Sequence, residues 1–545
     1  MIKAEHTPGF GDYFAGEPDF GQENARQVGD KAGTNFLNST NLAYQNKATD
    51  ASSNQKKPPS VVQTLIGLAS GATLFHAPDG EAFADILTGG HRETWPIRSA
   101  GFRSWLTREY FFKTKFGAAG DALGAAIATI EAMAVHDGHE LPVCTRATNH
   151  AGKIYVSLCD HAWRIIEIDS AGWRICANSP IRFRRSKGLA ALPMPETGGK
   201  ISELRRFLNI RTDADFALCV AWLLAGLRGA GPFPILALRG EQGCAKSTAT
   251  RILRALVDPN AAPARTMPRE DRDLFLSAKN SHVLAFDNIS AIPGWLSDTF
   301  CQLSTGGGFS SRKLFTDSDE TIFQACNPII LNGIGQFITR PDLADRTIQI
   351  SLKPIVERRT ERELWAEFDA VRGRILGALF GALAIGLARQ DDSDAGRPQV
   401  RMADFASWAR ACEPGFAAPG AFLASYRESL AHANEGILDD EPVAVAVRAI
   451  LEKSGRWTGT ASELWAAMAK LAADGERAPG LPRDARALSE RLSRLKPALR
   501  AVGILIEVSR EGPARTKIIT IWQKSASGLR PFASGLRSPP ERLTH

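Results

Sequence analysis

The spacing of apolar and polar positions divides this 545-residue chain into blocks of different character. Residues 1–59 hold no sustained apolar period and are rich in Gly, Asn, Ser, Asp and Lys, which predicts a disordered segment with too little apolar surface to offset ordering. Residues 60–200 read as an α/β adaptor: a helix at 117–134, then strands at 153–158, 163–168 and 173–177 that alternate apolar and polar positions. Ala171 and Gly172 form the turn between the last two, and Pro193, Pro195, Gly198 and Gly199 mark a linker. A helix at 214–228, a strand at 233–238 and an α/β core reaching about 353 follow, and a long helix at 360–389 closes a block spanning 201–390. Residues 400–524 begin with a helical section at 401–430. Helices at 442–453, 461–473 and 484–500 come next, then strands at 505–508 and 517–522 around a turn at 510–514, which is the order of a winged helix. The Ser-Gly-Leu-Arg repeat within 525–545, broken by prolines, predicts a second disordered tail.

Composition narrows the classes. Two apolar runs, 216–227 and 375–388, fall short of the roughly 20 residues a membrane span needs, so both are expected as buried helices. The first residues lack the apolar core of a signal peptide, and the eight cysteines form no C-x-x-C pair, so a cytoplasmic location with reduced thiols is expected. Cys144, His150, Cys159, His161 and Cys176 match no zinc-finger spacing. No Asp-x-Asp element within 60–200 offers the carboxylates of a two-metal nucleotidyl transferase. Net charge is +7, but residues 476–545 alone carry 14 Lys/Arg against 6 Asp/Glu, so the basic character is concentrated at the end of the chain. Arg491, Arg494 and Arg515 are the candidate duplex-DNA contacts there, unless the arginine-rich helix is a solvated face of a protein-binding module.

The candidate chemistry lies in the middle block. Gly240-Glu241-Gln242-Gly243-Cys244-Ala245-Lys246-Ser247 follows a strand and opens a helix at 247–256, the context a phosphate-binding P-loop requires. Glycines let backbone N–H groups face phosphates, and the helix N-terminus adds its dipole. Gly240, Gly243, Cys244, Ala245, Lys246, Ser247 and Thr248 form the expected ATP site, with Lys246 on the β and γ phosphates and Ser247 on Mg²⁺. Ala245 stands where such loops carry their last glycine. The apolar strand 283–286 ends in Asp287, the expected second Mg²⁺ residue. The next position usually supplies a carboxylate to polarise the attacking water. Asn288 orients water but accepts no proton, which argues against fast hydrolysis.

Three further features have two readings each. Asn332, at the tip of the strand 328–331, is either a sensor of the γ-phosphate or the start of the turn before Gly333. Arg346 either stabilises transition-state charge on a neighbouring subunit's ATP or pairs with Asp342 or Asp345. Residues 304–315 present Arg312, Lys313 and Phe315 after three glycines, as a hairpin suited to a nucleic-acid channel or as an ordinary surface hairpin.

The order of these elements across about 200–390 resembles the superfamily-three helicases, and most of all the motors of viral, phage and plasmid primase-helicases. The resemblance implies an AAA+ like P-loop NTPase core, with the adaptor ahead of it and the winged-helix domain behind. It implies a homo-hexameric ring that binds ATP and Mg²⁺ between subunits and tracks single-stranded DNA with pore hairpins. By the same resemblance Lys246, Asp287, Asn332 and Arg346 belong to the catalytic set and Arg312 and Lys313 are the single-strand contacts; Ala245 and Asn288 depart from the family pattern, Asn288 standing at a catalytic position without the usual carboxylate. The function it implies is an ATP-dependent DNA helicase or translocase in replication of a phage, plasmid or integrated mobile element. An ATP-gated initiator with slow or absent hydrolysis is the alternative that Asn288 favours.

Overall fold

The computed structural model describes residues 59–176, 179–312, 320–355, 358–390, 398–473, 480–511 and 515–523. The expected disordered segments at 1–59 and 525–545 therefore lie outside the described residues, apart from Pro59. The chain forms two compact units, Met1–Leu141 and Pro142–His545. The division falls inside the stretch 60–200 that the sequence presents as one adaptor.

The first unit begins with α1 (Val61–Ala69), whose N-terminus is closed by a capping box between Ser60 and Gln63. Strands β1 (Ala72–His76), β2 (Ala82–Thr88) and β3 (His91–Pro96) form an antiparallel meander, and β4 (His139–Glu140) adds in parallel to β1. Helices α2 (Ala100–Thr114) and α3 (Gly120–His136) bury Phe102, Leu106, Ile127 and Ile130 against Leu65, Ala84 and Ile86.

The second unit opens with β5 (Val143–Cys144) and the antiparallel meander β6 (Ala147–His150), β7 (Lys153–Ser157), β8 (Ile165–Asp169) and β9 (Gly172–Cys176); β10 (Arg182–Phe183) pairs with β5. After a 3-10 helix at Ile201–Phe207 comes α4 (Asp213–Arg228), buried on all sides from Phe216 to Leu227. A parallel sheet follows. Its strands are β11 (Ile235–Arg239), β12 (Leu284–Ile289), β15 (Ile329–Gly333) and β16 (Thr347–Ser351), in the order β12-β15-β11-β16. Between them lie α5 (Lys246–Val257), α6 (Asp271–Asn280), α7 (Gly294–Thr305), the hairpin strands β13 (Gly308–Arg312) and β14 (Glu320–Gln324), and α8 (Pro341–Ala344).

Alternation on β11 shows how this sheet is covered. Leu236 and Leu238 join the core of α4 and α5, while Ile235 and Ala237 join that of α6 and α7. Both faces are apolar because both carry helices. Helix α9 (Glu361–Ala388) is long and apolar enough to cross a membrane by length and composition, yet its Phe368, Ile375, Leu379 and Leu383 sit in the protein core. Helices α10 (Ala403–Cys412) and α11 (Ala421–Asp439) lead to a last cluster of α12 (Pro442–Ser454), β17 (Arg456–Gly459), α13 (Ala461–Ala473), α14 (Ala485–Ala501), β18 (Ile504–Glu511) and β19 (Thr516–Gln523). Its sheet has three strands, β17-β19-β18, one more than the sequence predicts.

Among the contacts that join the 142–200 stretch to the rest of the second unit, two position the site. The residues expected as a linker lie along α9: Glu196 N–H donates to the Gly373 carbonyl at 3.0 Å, and a Cβ on Gly377 would overlap the Glu196 carbonyl. The second contact is a buried ion pair. Arg146 and Asp258 are both inaccessible to solvent, and Arg146 Nε donates to Asp258 Oδ1 at 2.9 Å. Asp258 Oδ2 also accepts from the N–H groups of His282 and Val283, each at 3.0 Å. Burial opposes the charge on Asp258, but Arg146, His282 and Arg254, with the Val283 N–H, outweigh it and hold the carboxyl below the usual carboxylate range.

A group whose folded pKa is depressed contributes stability above its unfolded value and loses it as pH falls through the folded one. The Asp258 contribution should therefore be complete above about pH 4 and disappear on further acidification. Asp258→Asn leaves Arg146 buried without its counter-charge and should destabilise the chain by roughly 3–5 kcal/mol at neutral pH. It should also shallow the acid limb of the stability profile. Urea unfolding of both proteins between neutral pH and about pH 3 checks both effects.

Candidate nucleotide site

The carboxyl ends of β11, β12 and β15 meet at one edge of the parallel sheet, where ligands of open α/β sheets bind. Strand β11 ends at Arg239 and the chain turns at once through Gly240, whose φ is 150°. A Cβ at Gly240 would lie 2.6 Å from Cys244 Sγ, so only glycine fits. Gly243 (φ 84°) and Ala245 (φ 62°, ψ 33°) are also left-handed. Ala245 thus adopts the backbone of the glycine it replaces, at a steric cost of roughly 1–2 kcal/mol. Helix α5 starts at Lys246, so its free N–H groups point into this loop.

Lys246 folds back over the loop, where its Nζ donates to the carbonyls of Gly240 at 2.8 Å and Glu241 at 2.7 Å. Ser247 Oγ donates to Asp287 Oδ1 at 3.0 Å. A hydroxyl and a carboxylate are the hard oxygen donors Mg²⁺ takes, and they stand at the mouth of a loop turned to cradle phosphate, so the residues present fit both groups.

Asp287 owes its position to a register break between Phe286 and Ile289 on β12. On the other side of the strand Arg265 bridges Phe286 in parallel, accepting from the Asp287 N–H at 2.9 Å. Asn288 is exposed with φ 59°, so the bulge turns it away from the ladder. Asn332 is 1% exposed: its Oδ1 accepts from Asn288 N–H at 3.2 Å and its Nδ2 donates to Thr250 Oγ1 at 2.8 Å. One amide therefore ties β15 to both β12 and α5. Thr250, Arg265 and Arg358, whose Nη2 would lie 3.4 Å from a Cβ on Gly243, carry no motif that sequence reading could use.

The arginines ahead of β16 lie elsewhere. Ile235 N–H donates to the Arg346 carbonyl, which places Arg346 beside the start of β11, at the opposite end of the strand from the loop. Arg346 Nη1 donates to the Asp342 carbonyl at 2.7 Å, while its buried Nε has no partner. Arg340 is occupied by Asp298 at 2.6 Å and Asp342 at 3.3 Å. Strand β16 is the edge of the sheet, so this connection borders the outside of the core.

Of the residues considered for DNA, Arg312 ends β13 opposite Glu320 and Lys313 lies outside the described residues. Arg491 is held by Glu441 in a two-pronged ion pair at 2.7 and 2.9 Å. Arg494 and Arg515 are exposed and form no ion pair among the described residues. The five Cys and His residues 144, 150, 159, 161 and 176 form no group of three able to hold a metal.

The loop makes a directional prediction. Ala245→Gly relieves the left-handed strain and should leave nucleotide binding intact. Ala245→Val sets a β-branched residue at φ 62° and should weaken ATP binding at least about tenfold, since distortion there misplaces the N–H groups. Titration of a fluorescent ATP analogue into each protein measures it.

Residues 201–436 match the family model of the actinomycete integrative conjugative element replication protein, and residues 443–534 match that of the AICE RepA C-terminal domain. None of the curated proteins matches the chain. Among solved structures, SCCmec type IV Cch, an active helicase, is 11% identical over 82% of this chain and 92% of that one, with a TM-score of 0.43. The NrS-1 C-terminal region in its apo A form is 10% identical over 85% of this chain and 99% of that one, with a TM-score of 0.36. The JCV helicase is 11% identical over 38% of this chain and 67% of that one, with a TM-score of 0.20. Over the two matched stretches, then, this chain is similar to a replication protein of an actinomycete integrative conjugative element.

Proposed function

We propose that this chain is an ATP-driven DNA helicase or translocase that forms a ring and replicates an integrated mobile element in the cytoplasm. The observation that carries this reading is the Ser247–Asp287 contact at 3.0 Å, set beside Lys246 at the start of α5. In this reading the strand–loop–helix is a P-loop within an AAA+ like core, and the α12–β19 cluster is a winged helix. The helix–strand–helix–helix–strand–strand order supports the second assignment.

Roles follow from position. Backbone N–H groups of Gly243, Cys244, Ala245 and Lys246 face the phosphates, with Thr248 one residue further along α5, and Lys246 exchanges its loop carbonyls for phosphate oxygens. Ser247 and Asp287 hold the metal. Mg²⁺ neutralises charge on the transferring phosphoryl group when bound. Asn332 transmits displacement of α5 through Thr250 to Asn288, which orients water. Arg346 serves the nucleotide of the adjoining subunit, because it stands at the far end of β16 from its own loop. Arg312 and Lys313 contact single-stranded DNA, and Arg494 and Arg515 contact duplex.

A second reading, an ATP-gated initiator that hydrolyses slowly, is favoured by one observation. Asn288 is exposed at the mouth of the site and its amide accepts no proton. ATP turnover with and without single-stranded DNA, and strand separation on a forked duplex, discriminate the two readings. The helicase reading requires stimulation and unwinding; binding without either supports the initiator.

Two further outcomes are expected. Arg346→Ala should bind ATP but lose on the order of 10³-fold or more in turnover. Mixed with Lys246→Ala it should recover measurable activity at interfaces that join an intact loop to an intact arginine. Arg494→Ala and Arg515→Ala should each lower the salt slope of duplex binding by about one unit while leaving single-strand binding unchanged.

A further inference from the structure

Helices α5 and α9 and the segment after α5 line a solvent-open cavity of about 220 Å³ whose wall includes Arg251, Arg254, Asn260, Trp365 and Arg372. Three N–H groups of these side chains are buried without a hydrogen-bond partner: Arg251 Nε, Arg372 Nε and Asn260 Nδ2. Each orphaned donor costs about 1–3 kcal/mol, and more on a charged group, so three around one cavity are a large uncompensated demand for an acceptor. The acceptors nearby are already used. Asn260 Oδ1 takes the Ala262 N–H at 3.0 Å, and the Ala255 carbonyl takes Arg372 Nη2. Arg254 spends its donors on the carbonyls of Asp258, Ala262 and Pro263.

Positive charge is concentrated in and beside the same place. Arg146 and Arg254 are buried, at 0% and 1% exposure, and share the single buried carboxylate of Asp258. Burial is the main influence pushing Arg254 down, to about 10, and it lowers Arg372 too, with the charge of Arg146 adding to the effect on both. The carboxylates that answer Arg251 and Arg372, Glu361 and Asp369, have exposed side chains, where solvent screens most of their attraction.

We infer that this cavity is a second anion site, separate from the loop at Gly240, which binds a phosphoryl group through Arg251, Asn260 and Arg372. Its volume equals roughly seven waters at about 30 Å³ each, enough for a phosphate or diphosphate. Arginine forks match the geometry of such oxygens. A free phosphate species or a backbone phosphate of DNA would satisfy the same donors.

The test uses the full chain carrying Lys246→Ala, so that binding at the Gly240 loop is suppressed. Inorganic diphosphate is titrated calorimetrically in metal-free buffer. One saturable site is expected, with affinity reduced about tenfold or more when Arg251→Gln and Arg372→Gln are added. The pair Arg251→Lys and Arg372→Lys should retain part of it, which separates loss of the site from loss of the fold. A saturating thymidine oligonucleotide then distinguishes the sources: competition identifies DNA phosphate, and undisturbed binding identifies a free phosphate species. Absence of a saturable site in the Lys246→Ala protein, or equal affinity after the glutamine substitutions, overturns the inference while leaving the assignment of the Gly240 loop untouched.

Discussion

The buried carboxylate of Asp258 ties the meander of the second unit to α5 and β12. It lies just past the last residue of α5 and accepts from Arg146 ahead of the meander and from the backbone leading into β12. Three parts of the chain far apart in sequence thus share one charge in the protein interior. Such a pair contributes little net stability compared with apolar packing, but removing one member is costly. It anchors the end of α5 against the residue ahead of the meander and the backbone leading into β12.

The beginning of α5 is where the candidate chemistry lies. With its far end fixed by Asp258 and its flank joined to β15 through Thr250 and Asn332, the helix presents Lys246 and Ser247 at a set height above the sheet. The bulge on β12 then brings Asp287 to Ser247. Neither the bulge nor the left-handed Ala245 improves the local backbone energy. Both are strained features, and their concentration at one end of the sheet is where a binding loop is expected to store strain. The arginine cavity lies on the same helix and draws on the same cluster of buried charge.

Much of this was legible in the sequence. Alternating apolar positions located β7, β8 and β9, and the strands bearing Asp287 and Asn332 fell within a residue or two of where their apolar runs end. The glycine-and-lysine loop announced itself because its backbone demands are encoded in residue type. Other features depend on partners distant in sequence and left no local trace. Residues 193–199 have the composition of a linker, yet they lie along α9 because Gly373 and Gly377 leave room for a backbone. Strand β17 is four residues long and exists only by pairing with β19, sixty residues later. Arg491 reads as one more basic residue on a basic helix until Glu441 is seen opposite it. The contact between Ser247 and Asp287, forty residues apart, is a product of tertiary structure alone.

The proposed function depends on Ser247 and Asp287 holding a metal against a nucleotide seated on α5. Equilibrium binding of ATP to the intact chain, measured with and without Mg²⁺, tests it most directly. One nucleotide should bind per chain, markedly more weakly when Mg²⁺ is removed, with the Mg²⁺ dependence abolished in Asp287→Asn. ATP binding that ignores both Mg²⁺ and the Asp287 carboxylate, or no binding at all, would contradict it.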